Sequence, residues 1–489
     1  MMSEKPRLLL VEPKAPNLHI FSGMSLPRLG TILLGTLARD HGWDVTVIIE
    51  EQAPVDWDEL PTFDLVGIST ITSTAPRAYA MADRARSLNV PVILGGPHVT
   101  FLPDEGLEHA DYVMRGEAEA AFPRFLDTFL QTGDFRLVPN LSWRWPDGSI
   151  GHNDLAPAIA DLDTLPTPDF SLVRGRTLRM GGKSVIPIQT SRGCPFDCSF
   201  CSVTSMFGRK FRFRSTAVIM TEMERYDSSD NFLFIYDDNF MASPKHAREL
   251  LSAMIERKFK FRWSAQVRAD LARDEELVKQ MRRAGCHTVF IGFESVSPEA
   301  LAEINKKASV DDLRRAADTF RRSGIHVHGM FILGLDSDNQ RTVRQTVRFA
   351  RRHRIGTAQF LILTPLPGSA QFEELKREGR ITFKDWSLYD AHHVVYRPAN
   401  FSLAGLQRAQ IYAHRAFYSL HDTFRRLLFF HFGEFAVALY ARRLNRNWRR
   451  KNKAWLSLLT LLGRRKNLTI TADVRQVIEL DTAKCEHAA

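Results

Sequence analysis

The sequence predicts an α/β protein made of two successive sets of alternating strands and helices, followed by a helical C-terminal region. In the first third, short apolar runs alternate with helix-length segments, which is the pattern of a doubly wound parallel sheet. A second alternation begins near Val185 and contains about six strand–helix units, as in an open α/β barrel. Aromatic and arginine-rich helical segments follow Asn400. A length of 489 residues suits about two to three domains.

Composition and cysteine usage indicate a globular protein of a reducing cytoplasm. Hydrophobic residues make up 44% of the chain, which is enough for ordinary cores. Three of the five cysteines are crowded into one run, and Cys286 and Cys485 stand far apart, so we expect no disulfide framework. The sequence shows no secretory leader and no apolar run of roughly 18 residues, so no spanning helix is predicted. The net charge of +10 leaves nucleic acid, anionic membrane and anionic substrate open as partners.

The first domain is predicted to be a parallel sheet with helices on its faces. Its predicted strands are Arg7–Pro13, Asp44–Ile49, Leu65–Ser69, Val90–Gly96 and Tyr112–Met114. Its predicted helices are Leu26–Leu37, Ala78–Ser87 and Ala120–Gln131. In such sheets ligands lie across the C-terminal ends of the strands.

Small, hydroxylated and charged residues follow three of these strands, and we predict that they line a ligand site. They are Ser69, Thr70, Thr72, Gly95, Gly96, His98, Arg115, Gly116 and Glu117. Small residues allow a large flat ligand to approach the backbone closely. The alternative is a degenerate sheet domain that binds nothing and serves as a platform.

The second alternation is predicted to be an open barrel. Its first strand is predicted within Val185–Thr190, and the others are Phe232–Tyr236, Phe261–Ala265, Thr288–Gly292, Val327–Leu333 and Gln359–Leu363. Helices such as Glu275–Ala284 and Val310–Ser323 fall between them. Before the barrel, Asn140–Gly148 suggests a hairpin within an irregular linker.

The loop after the first barrel strand carries Cys194, Cys198 and Cys201 in a C-x3-C-x2-C spacing. A structural zinc ion prefers four ligands, and so does an ordinary iron–sulfur cluster. Three thiolates can hold three irons of a [4Fe–4S] cube and leave the fourth iron open to an outside ligand. A zinc knuckle or incidental thiols are the alternatives. The C-terminal end of a barrel strand is also where α/β barrels place their chemistry.

With Phe200 before its last cysteine, this run resembles the signature of the radical SAM superfamily. The resemblance implies that the three cysteines hold a [4Fe–4S] cluster and that Phe200 packs beside the adenine of S-adenosylmethionine (SAM). It also implies that the amino and carboxylate groups of SAM bind the open iron. One electron from the reduced cluster then releases a 5′-deoxyadenosyl radical.

Later barrel strands end in motifs that are similar to those of the same superfamily. The resemblance implies SAM contacts by Asp237, Asp238, Gln266, Arg268, Glu294 and Ser295. Two purely structural alternatives stay open. One of the paired acids can cap a helix, and Arg268 can form a salt bridge with Asp270. The turn Thr364–Ser369 resembles the family's proline–glycine turn, and we expect it to be structural first.

The first domain, in its place before the cysteine loop, resembles the cobalamin-binding domain of B12-dependent radical SAM enzymes. Gly95-Gly96-Pro97-His98 and Arg115-Gly116-Glu117 carry this resemblance, which implies that the nine strand-end residues contact cobalamin. The D-x-H-x-x-G motif that supplies a lower axial histidine in many B12 proteins is missing. A second cluster in this domain is excluded, because residues 1–193 contain no cysteine.

Four segments follow from these patterns. We predict a Rossmann-like cobalamin-binding domain over 1–138, a linker with a hairpin over 139–183, and a partial (β/α)6 TIM-type radical SAM barrel over 184–400. A helical, basic and aromatic region occupies 401–489. Its arginines alternate with tryptophans and leucines, which suits an anionic membrane surface. RNA binding and a helical cap that closes the barrel are the alternatives.

The resemblance implies an enzyme that activates an unreactive C–H bond, and the expected reaction is C-methyl transfer to a hydrophobic small molecule. The alternative enzyme is an oxidative cyclase or rearrangement catalyst with the same cofactors. A membrane- or RNA-docking protein with a structural cluster is the alternative from another class. Expected partners are the substrate and an external reductant of the flavodoxin or ferredoxin type. Peripheral contact of the C-terminal region with a membrane is also expected, whereas nucleic acid is not.

Overall fold

The computed structural model describes residues 5–16, 26–131, 133–145, 147–175, 179–180, 182–428 and 432–462. The chain divides into two compact units. The first consists of Met1–Pro16, Met24–Phe196 and Ser202–Phe232, and the second of Asn17–Gly23, Asp197–Cys201 and Leu233–Ala489. Residues 463–489 of the predicted C-terminal region, which include Cys485, lie outside the described residues.

An eight-stranded sheet forms the centre of the first unit, in the order β7-β6-β5-β4-β3-β1-β2-β8. Its strands are β1 (Arg7–Glu12), β2 (Asp44–Ile49), β3 (Leu65–Ser69), β4 (Val92–Gly95), β5 (Tyr112–Met114), β6 (Leu141–Arg144), β7 (Ile150–His152) and β8 (Val173–Arg174). All neighbours pair in parallel except β5–β6 and β6–β7, which are antiparallel. The central strand β1 is apolar and buried from Leu8 to Val11, as a strand covered on both faces should be.

Helices cover this sheet and complete its core. They are α1 (Leu29–Asp40), α2 (Ala75–Ser87), α3 (Pro97–Phe101), α4 (Pro103–His109) and α5 (Ala121–Gln131). In α1 the buried residues Leu29, Ile32, Leu33 and Thr36 recur at helical spacing. The predicted doubly wound sheet is therefore confirmed, and the predicted hairpin is present as β6 and β7.

Several features around the first sheet were not expected. The hairpin extends the first sheet by pairing with β5, and β8 from the expected linker pairs with β2. Two residues of β8 are too few to show a period in sequence. The short helices α3 and α4 each begin with a proline, which is favourable at the first helical position, and their brevity hid them.

The second sheet has seven strands in the order β17-β16-β15-β14-β13-β10-β9. They are β9 (Arg179–Met180), β10 (Lys183–Ile188), β13 (Asn231–Ile235), β14 (Arg262–Val267), β15 (Cys286–Glu294), β16 (His326–Leu333) and β17 (Thr357–Ile362). A separate two-stranded ladder is formed by β11 (Ser191–Arg192) and β12 (Arg212–Phe213). Apart from β9, which is antiparallel to β10, six parallel strands form the half-barrel that the sequence predicted.

Helices follow the barrel strands and then form the C-terminal region. They are α6 (Val203–Phe207), α7 (Thr216–Met223), α8 (Pro244–Glu256), α9 (Glu275–Arg283), α10 (Pro298–Glu303), α11 (Val310–Arg322), α12 (Gln340–Arg352), α13 (Ala370–Arg377), α14 (Leu403–Phe417), α15 (Leu420–Leu428), α16 (Phe432–Lys451) and α17 (Lys453–Leu462). Within the described ranges, none of the helices combines the length and the apolar character needed to cross a bilayer.

Helix α14 and the residue after it cover the edge strand β17, whose backbone groups would otherwise be open to pairing with another chain. The Tyr418 hydroxyl lies 2.9 Å from both the amide nitrogen and the carbonyl oxygen of Ala358. Gln410 donates to the carbonyl oxygen of Phe360 at 3.2 Å, and a ring nitrogen of His414 lies 3.2 Å from the same oxygen. Burial lowers the pKa of His414 to about 4, so the imidazole is neutral at pH 7. The start of the C-terminal region therefore protects the barrel edge.

Candidate functional site

The first cysteine is positioned by a backbone approach that requires glycine. Gly193, just after β11, has φ +86°, and a Cβ there would lie 2.6 Å from the carbonyl oxygen of Lys210. The amide of Cys194 then reaches the carbonyl of Gly208 at 3.5 Å. Gly193 therefore lets the returning end of the loop pass directly beside the start of the cysteine run.

The other two cysteines belong to a turn that the second unit holds. The amide of Cys201 donates to the carbonyl of Cys198 at 3.1 Å. Between them, Ser199 donates its amide to the carbonyl of Ile304 at 3.1 Å and accepts from the amide of Gln371 at 2.9 Å. These bonds fix the turn from both sides. All three cysteines of the run are half-buried, and they are not disulfide-bonded.

The predicted proline–glycine turn has a clear structural role in this arrangement. Ser369 at its end accepts from the amide of Phe372 at 3.2 Å and so caps α13, the helix that carries Gln371. Asn305 provides a second contact to the run, because its side-chain Nδ2 donates to the Asp197 carboxylate at 2.7 Å. The turn is therefore structural, as predicted, and it serves the cysteine run through Gln371.

Buried charges surround Cys198. Burial raises the pKa of its thiol, while Lys306 and Arg268 lower it and Glu294 and Asp197 raise it further. A thiolate is the form that binds iron, so nearby cations favour the ligand state. The same contributions show that Cys198 and Glu294 lie within electrostatic range of each other.

Glu294 has a strained backbone at the end of β15. Its φ is +57°, and the pairing register of β15 with β16 shifts between Gly292 and Glu294. Lys306 Nζ donates to Glu294 Oε1 at 2.9 Å, and both side chains are more than nine-tenths buried. A Cβ on Gly292 would lie 2.2 Å from that same oxygen, so the glycine makes room for the carboxylate. Such strain is characteristic of functional positions. The expected ribose contact of Glu294 stays a prediction.

Arg268 forms the salt bridge that the sequence left open as an alternative. Its Nε lies 3.2 Å from Asp270 Oδ1, and Nη2 donates to the carbonyl of Lys307 at 2.9 Å. The neighbouring Gln266 is half-buried, and its carbonyl accepts from the amide of Phe240 at 3.1 Å. Gln266 lies near the C-terminal end of β14 and Arg268 directly follows this strand, just as Glu294 lies at the C-terminal end of β15, and the SAM contacts of Gln266 and Arg268 stay predictions.

The remaining predicted SAM residues differ in exposure. Asp237 is buried, Asp238 is exposed and Phe200 is half-buried. The Ser295 hydroxyl accepts from the amide of Ser297 at 3.2 Å, so this serine stabilises the turn after Glu294. Both acids follow the C-terminal end of β13, and only Asp237 is buried there.

At the predicted cobalamin site, the loops after β3 and β4 lie against each other. Gly96 has φ +97°, and a Cβ there would lie 2.4 Å from the carbonyl oxygen of Thr70. The Thr70 amide and hydroxyl both donate to the carbonyl of Gly95, at 2.7 and 2.8 Å. Only glycine allows this approach, so the loop is built to keep its backbone close at the strand ends.

His98 is buried in this loop, with a fully enclosed side chain. Its Nδ1 lies 3.4 Å from the Thr72 hydroxyl and its Nε2 lies 3.3 Å from Glu105 Oε1, which also accepts from the Tyr79 hydroxyl at 3.0 Å. Burial and Glu105 together raise the pKa of Tyr79. The histidine thus belongs to a polar network within the fold, and its contact with cobalamin stays a prediction.

The Arg115-Gly116-Glu117 turn is engaged by other parts of the first unit. Arg115 donates to the carbonyl of Asn153, and burial lowers its pKa. The Gly116 amide donates to the Thr100 hydroxyl at 3.0 Å. The Glu117 carboxylate accepts two hydrogen bonds from Arg212. Ser69 and Gly95 are half-buried at the ends of their strands.

Sequence reasoning missed Lys306, Gln371 and the arginines Arg192 and Arg212. None of them lies in a motif, and each acts through a residue distant in sequence. For Arg192 and Arg212, the only signal in the sequence was that they lie on either side of the cysteine run.

The half-barrel carries a loop with three thiols, and the parallel sheet before it has a glycine-lined edge. These two features together define a class of enzymes that combine a radical SAM barrel with a B12-binding domain. Residues 188–350 match the model of the radical SAM superfamily and residues 22–126 that of the B12 binding domain. The chain belongs to the cobalamin-dependent radical SAM family.

Named relatives extend over most of the chain. Bacteriochlorophyllide d C-12(1)-methyltransferase of Chlorobaculum tepidum is 31% identical over 401 residues, which are 81% of this chain and 83% of the relative. Hopanoid C-3 methylase of Methylococcus capsulatus is 28% identical, over 80% of this chain and 76% of the relative. The anaerobic magnesium-protoporphyrin IX monomethyl ester cyclase of Rubrivivax gelatinosus is 29% identical, over 64% and 58%.

A solved structure shares the fold. The radical SAM methyltransferase TsrM from Kitasatospora setae, with cobalamin and a [4Fe–4S] cluster bound, superposes with a TM-score of 0.64. The two chains are 20% identical, and the match covers 77% of this chain and 75% of TsrM.

The residues present suit the cofactors of this family. Three half-buried thiols in one run, with cations near Cys198, suit an iron–sulfur cluster with one open iron. The close backbone approach at Gly96 suits a corrinoid lying across the strand ends. Among the described residues, no group of three or more His, Cys, Asp or Glu side chains is arranged for a single metal ion. The assignment of the cluster ligands therefore depends on the family match and on the position of the run in the chain.

We expect Gly96→Ala to destabilise the protein and to lower its cobalamin content after reconstitution. The new Cβ would overlap the Thr70 backbone at a positive φ, which costs roughly 2–4 kcal/mol. Gly30→Ala is the matched control, because it lies in α1 with nothing within 4 Å of its Cβ, and it should stabilise the helix by about 0.5–1 kcal/mol. Urea unfolding and the corrinoid absorbance measure both effects. Wild-type stability of Gly96→Ala would contradict the close approach.

We expect Glu294→Gln to weaken SAM binding by roughly 10- to 100-fold, because a charged acceptor of hydroxyl hydrogen bonds is lost. Iron content should stay unchanged, since the residue holds no iron. Calorimetric titration of SAM into the reconstituted enzyme measures the affinity. Glu299→Gln, which removes an exposed carboxylate from nearby α10, is the control. Equal SAM affinity in both variants would rule out the ribose contact.

Proposed function

We propose that the protein is a C-methyltransferase that transfers a methyl group to an unactivated carbon of a hydrophobic small molecule. The observation that carries this proposal is the 31% identity to a bacteriochlorophyllide methyltransferase over four-fifths of the chain, across both domains. The relative named as a hopanoid methylase supports the same reaction class.

Each part of the proposed site has a separate task. Cys194, Cys198 and Cys201 hold the cluster, Glu294 binds and orients SAM, and the strand ends around Thr70 and Gly96 hold cobalamin. When bound, the cluster and SAM supply a hydrogen-abstracting radical, and cobalamin supplies the methyl group. No acid–base pair of the protein could remove such a hydrogen, so the protein's contribution is binding and orientation.

We propose a polycyclic or tetrapyrrole-like substrate. The named relatives act on a bacteriochlorophyllide, a hopanoid and a magnesium-protoporphyrin ester, all of them large and mainly apolar ring systems.

Electrons are proposed to come from an external one-electron donor of the flavodoxin or ferredoxin type. Outside the cysteine run the chain has only two further cysteines, Cys286 and Cys485, too few to ligate a second cluster.

A second candidate function is oxidative ring cyclisation with the same cofactors. The cyclase of Rubrivivax gelatinosus, at 29% identity, is the observation that favours it. The two candidates differ in the fate of SAM, because only methylation consumes a second molecule to restore the methyl donor.

Anaerobic turnover with methyl-labelled SAM separates these two reactions. We expect 5′-deoxyadenosine and S-adenosylhomocysteine in about equal amounts, with label in the product, when hydrophobic tetrapyrroles and polycyclic lipids are offered to the reduced enzyme. Deoxyadenosine without S-adenosylhomocysteine would favour the cyclase. Cys198→Ala, which should abolish both products, is the control for cluster dependence.

We also propose that the C-terminal region contacts a membrane surface peripherally. Leu420, Phe424, Leu427 and Leu428 recur at helical spacing along α15 and are exposed, Leu428 by 76%. Arg425 lies away from this apolar face and is also exposed, whereas Arg426 packs over the rings of Phe417 and Tyr418. The helix therefore presents an exposed apolar face with a positive charge beside it. Helices of this kind lie in the interface of anionic bilayers.

We expect the double substitution Phe424→Ser and Leu428→Ser to lower binding to vesicles of phosphatidylcholine and phosphatidylglycerol by at least tenfold, through loss of buried apolar area. The control is Leu137→Ser with Leu155→Ser, which removes two equally exposed leucines from the first unit. Co-sedimentation at low and high salt measures binding. Equal binding by both double variants would contradict the proposal.

A further inference from the structure

Two buried glutamate–arginine pairs in the first unit have no part in the chemistry proposed above. Arg212 donates to Glu117 through Nη1 at 2.8 Å and Nη2 at 2.5 Å. Arg192 Nη2 lies 2.5 Å from Glu119 Oε1, and its Nη1 lies 3.7 Å from Glu117 Oε2. The four side chains are at most 7% exposed, so water and salt screen these charges weakly.

The β11–β12 ladder explains why the four charges occur together. It places Arg192 and Arg212 directly opposite each other as cross-strand partners. Like charges in this position destabilise a ladder. Glu117 and Glu119 supply two negative charges against the two positive ones, so the ladder closes as a neutral unit.

This ladder is the base of the loop that carries the three cysteines. β11 is followed at once by Gly193 and Cys194, and β12 receives the chain when the loop returns. Arg212 also donates to the carbonyls of Phe207 and Ile159, at 2.9 and 2.8 Å. It therefore ties the returning end of the loop, to which Phe207 belongs, to two other parts of the first unit, at Glu117 and Ile159.

The two glutamates come from a different part of the fold, the turn between β5 and α5 of the B12-binding domain. We propose that Glu117 and Glu119 are positioning residues, which lock the base of the cluster loop to that turn and hold Cys194 in place before a cluster is inserted. Glu117 then acts on the cluster through Arg212 and not on cobalamin.

Buried ion pairs of this kind add little net stability, because the cost of desolvation offsets much of their attraction. Their main effect here is to fix the position of the ladder relative to the turn that carries Glu117 and Glu119. Removing one partner leaves a buried arginine without compensation, which should open the ladder locally. The consequence falls on the loop, since Gly193 and Cys194 directly follow Arg192 in the chain.

Hydrogen exchange of the cluster-free full chain tests this proposal without any cofactor, so its outcome is independent of the methyl-transfer proposal. We expect Glu117→Gln to speed amide exchange in peptides spanning residues 190–213 by roughly tenfold, through local opening. Iron retained after anaerobic reconstitution should fall to about half the wild-type content or less.

Glu12→Gln is the matched control, because it breaks another largely buried glutamate–arginine pair of the same unit, Arg28–Glu12, which includes no residue of the loop or of its ladder. It should lower the overall stability without releasing the loop. The charge exchange Glu117→Arg with Arg212→Glu should return loop exchange to within about threefold of wild type, since it restores the neutral set.

Loop exchange in Glu117→Gln that equals wild type, or that equals Glu12→Gln at matched stability, would overturn the proposal. A folded charge-exchange variant whose loop still exchanges fast would do the same. Should that variant fail to fold, the comparison of Glu117→Gln with Glu12→Gln decides alone.

Discussion

The function of this protein depends on one loop keeping its shape, and a loop of this kind cannot do so by itself. Its backbone polar groups need partners, and its thiols must be held without help from regular structure. Here Gly208 and Lys210 approach Gly193 and Cys194 at one end, and Ile304 and Gln371 bond to Ser199 at the other. The cysteine run is therefore supported through its backbone.

Charge compensation is the second constraint on the site. Lys306 pairs with Glu294, Arg268 with Asp270, and Arg192 and Arg212 with the two glutamates of the B12-binding domain. Each ion removed from water needs a partner, because an unpaired buried charge is costly. Near Cys198 the cations have an additional use, since they offset the negative charge that thiolates and a cluster would bring.

Much of the fold could be predicted because strand and helix periods are local properties. The strands Asp44–Ile49, Leu65–Ser69 and Tyr112–Met114 were located to the residue, and β15 was placed although it is longer than expected. The two-residue β8 and the short α3 and α4 were missed, since none is long enough to show a period. The pairing of the hairpin with β5 was missed for a different reason, because pairing partners are not encoded in local patterns.

The spacing of Cys194, Cys198 and Cys201 and the aromatic residue beside them were enough to determine the class of chemistry, because a cluster with one open iron demands a small set of ligands close together in the chain. The sequence likewise predicts ligand sites at the strand ends, and this stays a prediction. Only the tertiary structure decided which charges meet. Glu117 reads in sequence as part of a cofactor loop, yet it pairs with Arg212 on the far side of the linker, and Lys306 has no motif that would connect it to Glu294. The physical reason is that ion pairing depends on distance in space after folding, whereas motifs record only distance along the chain.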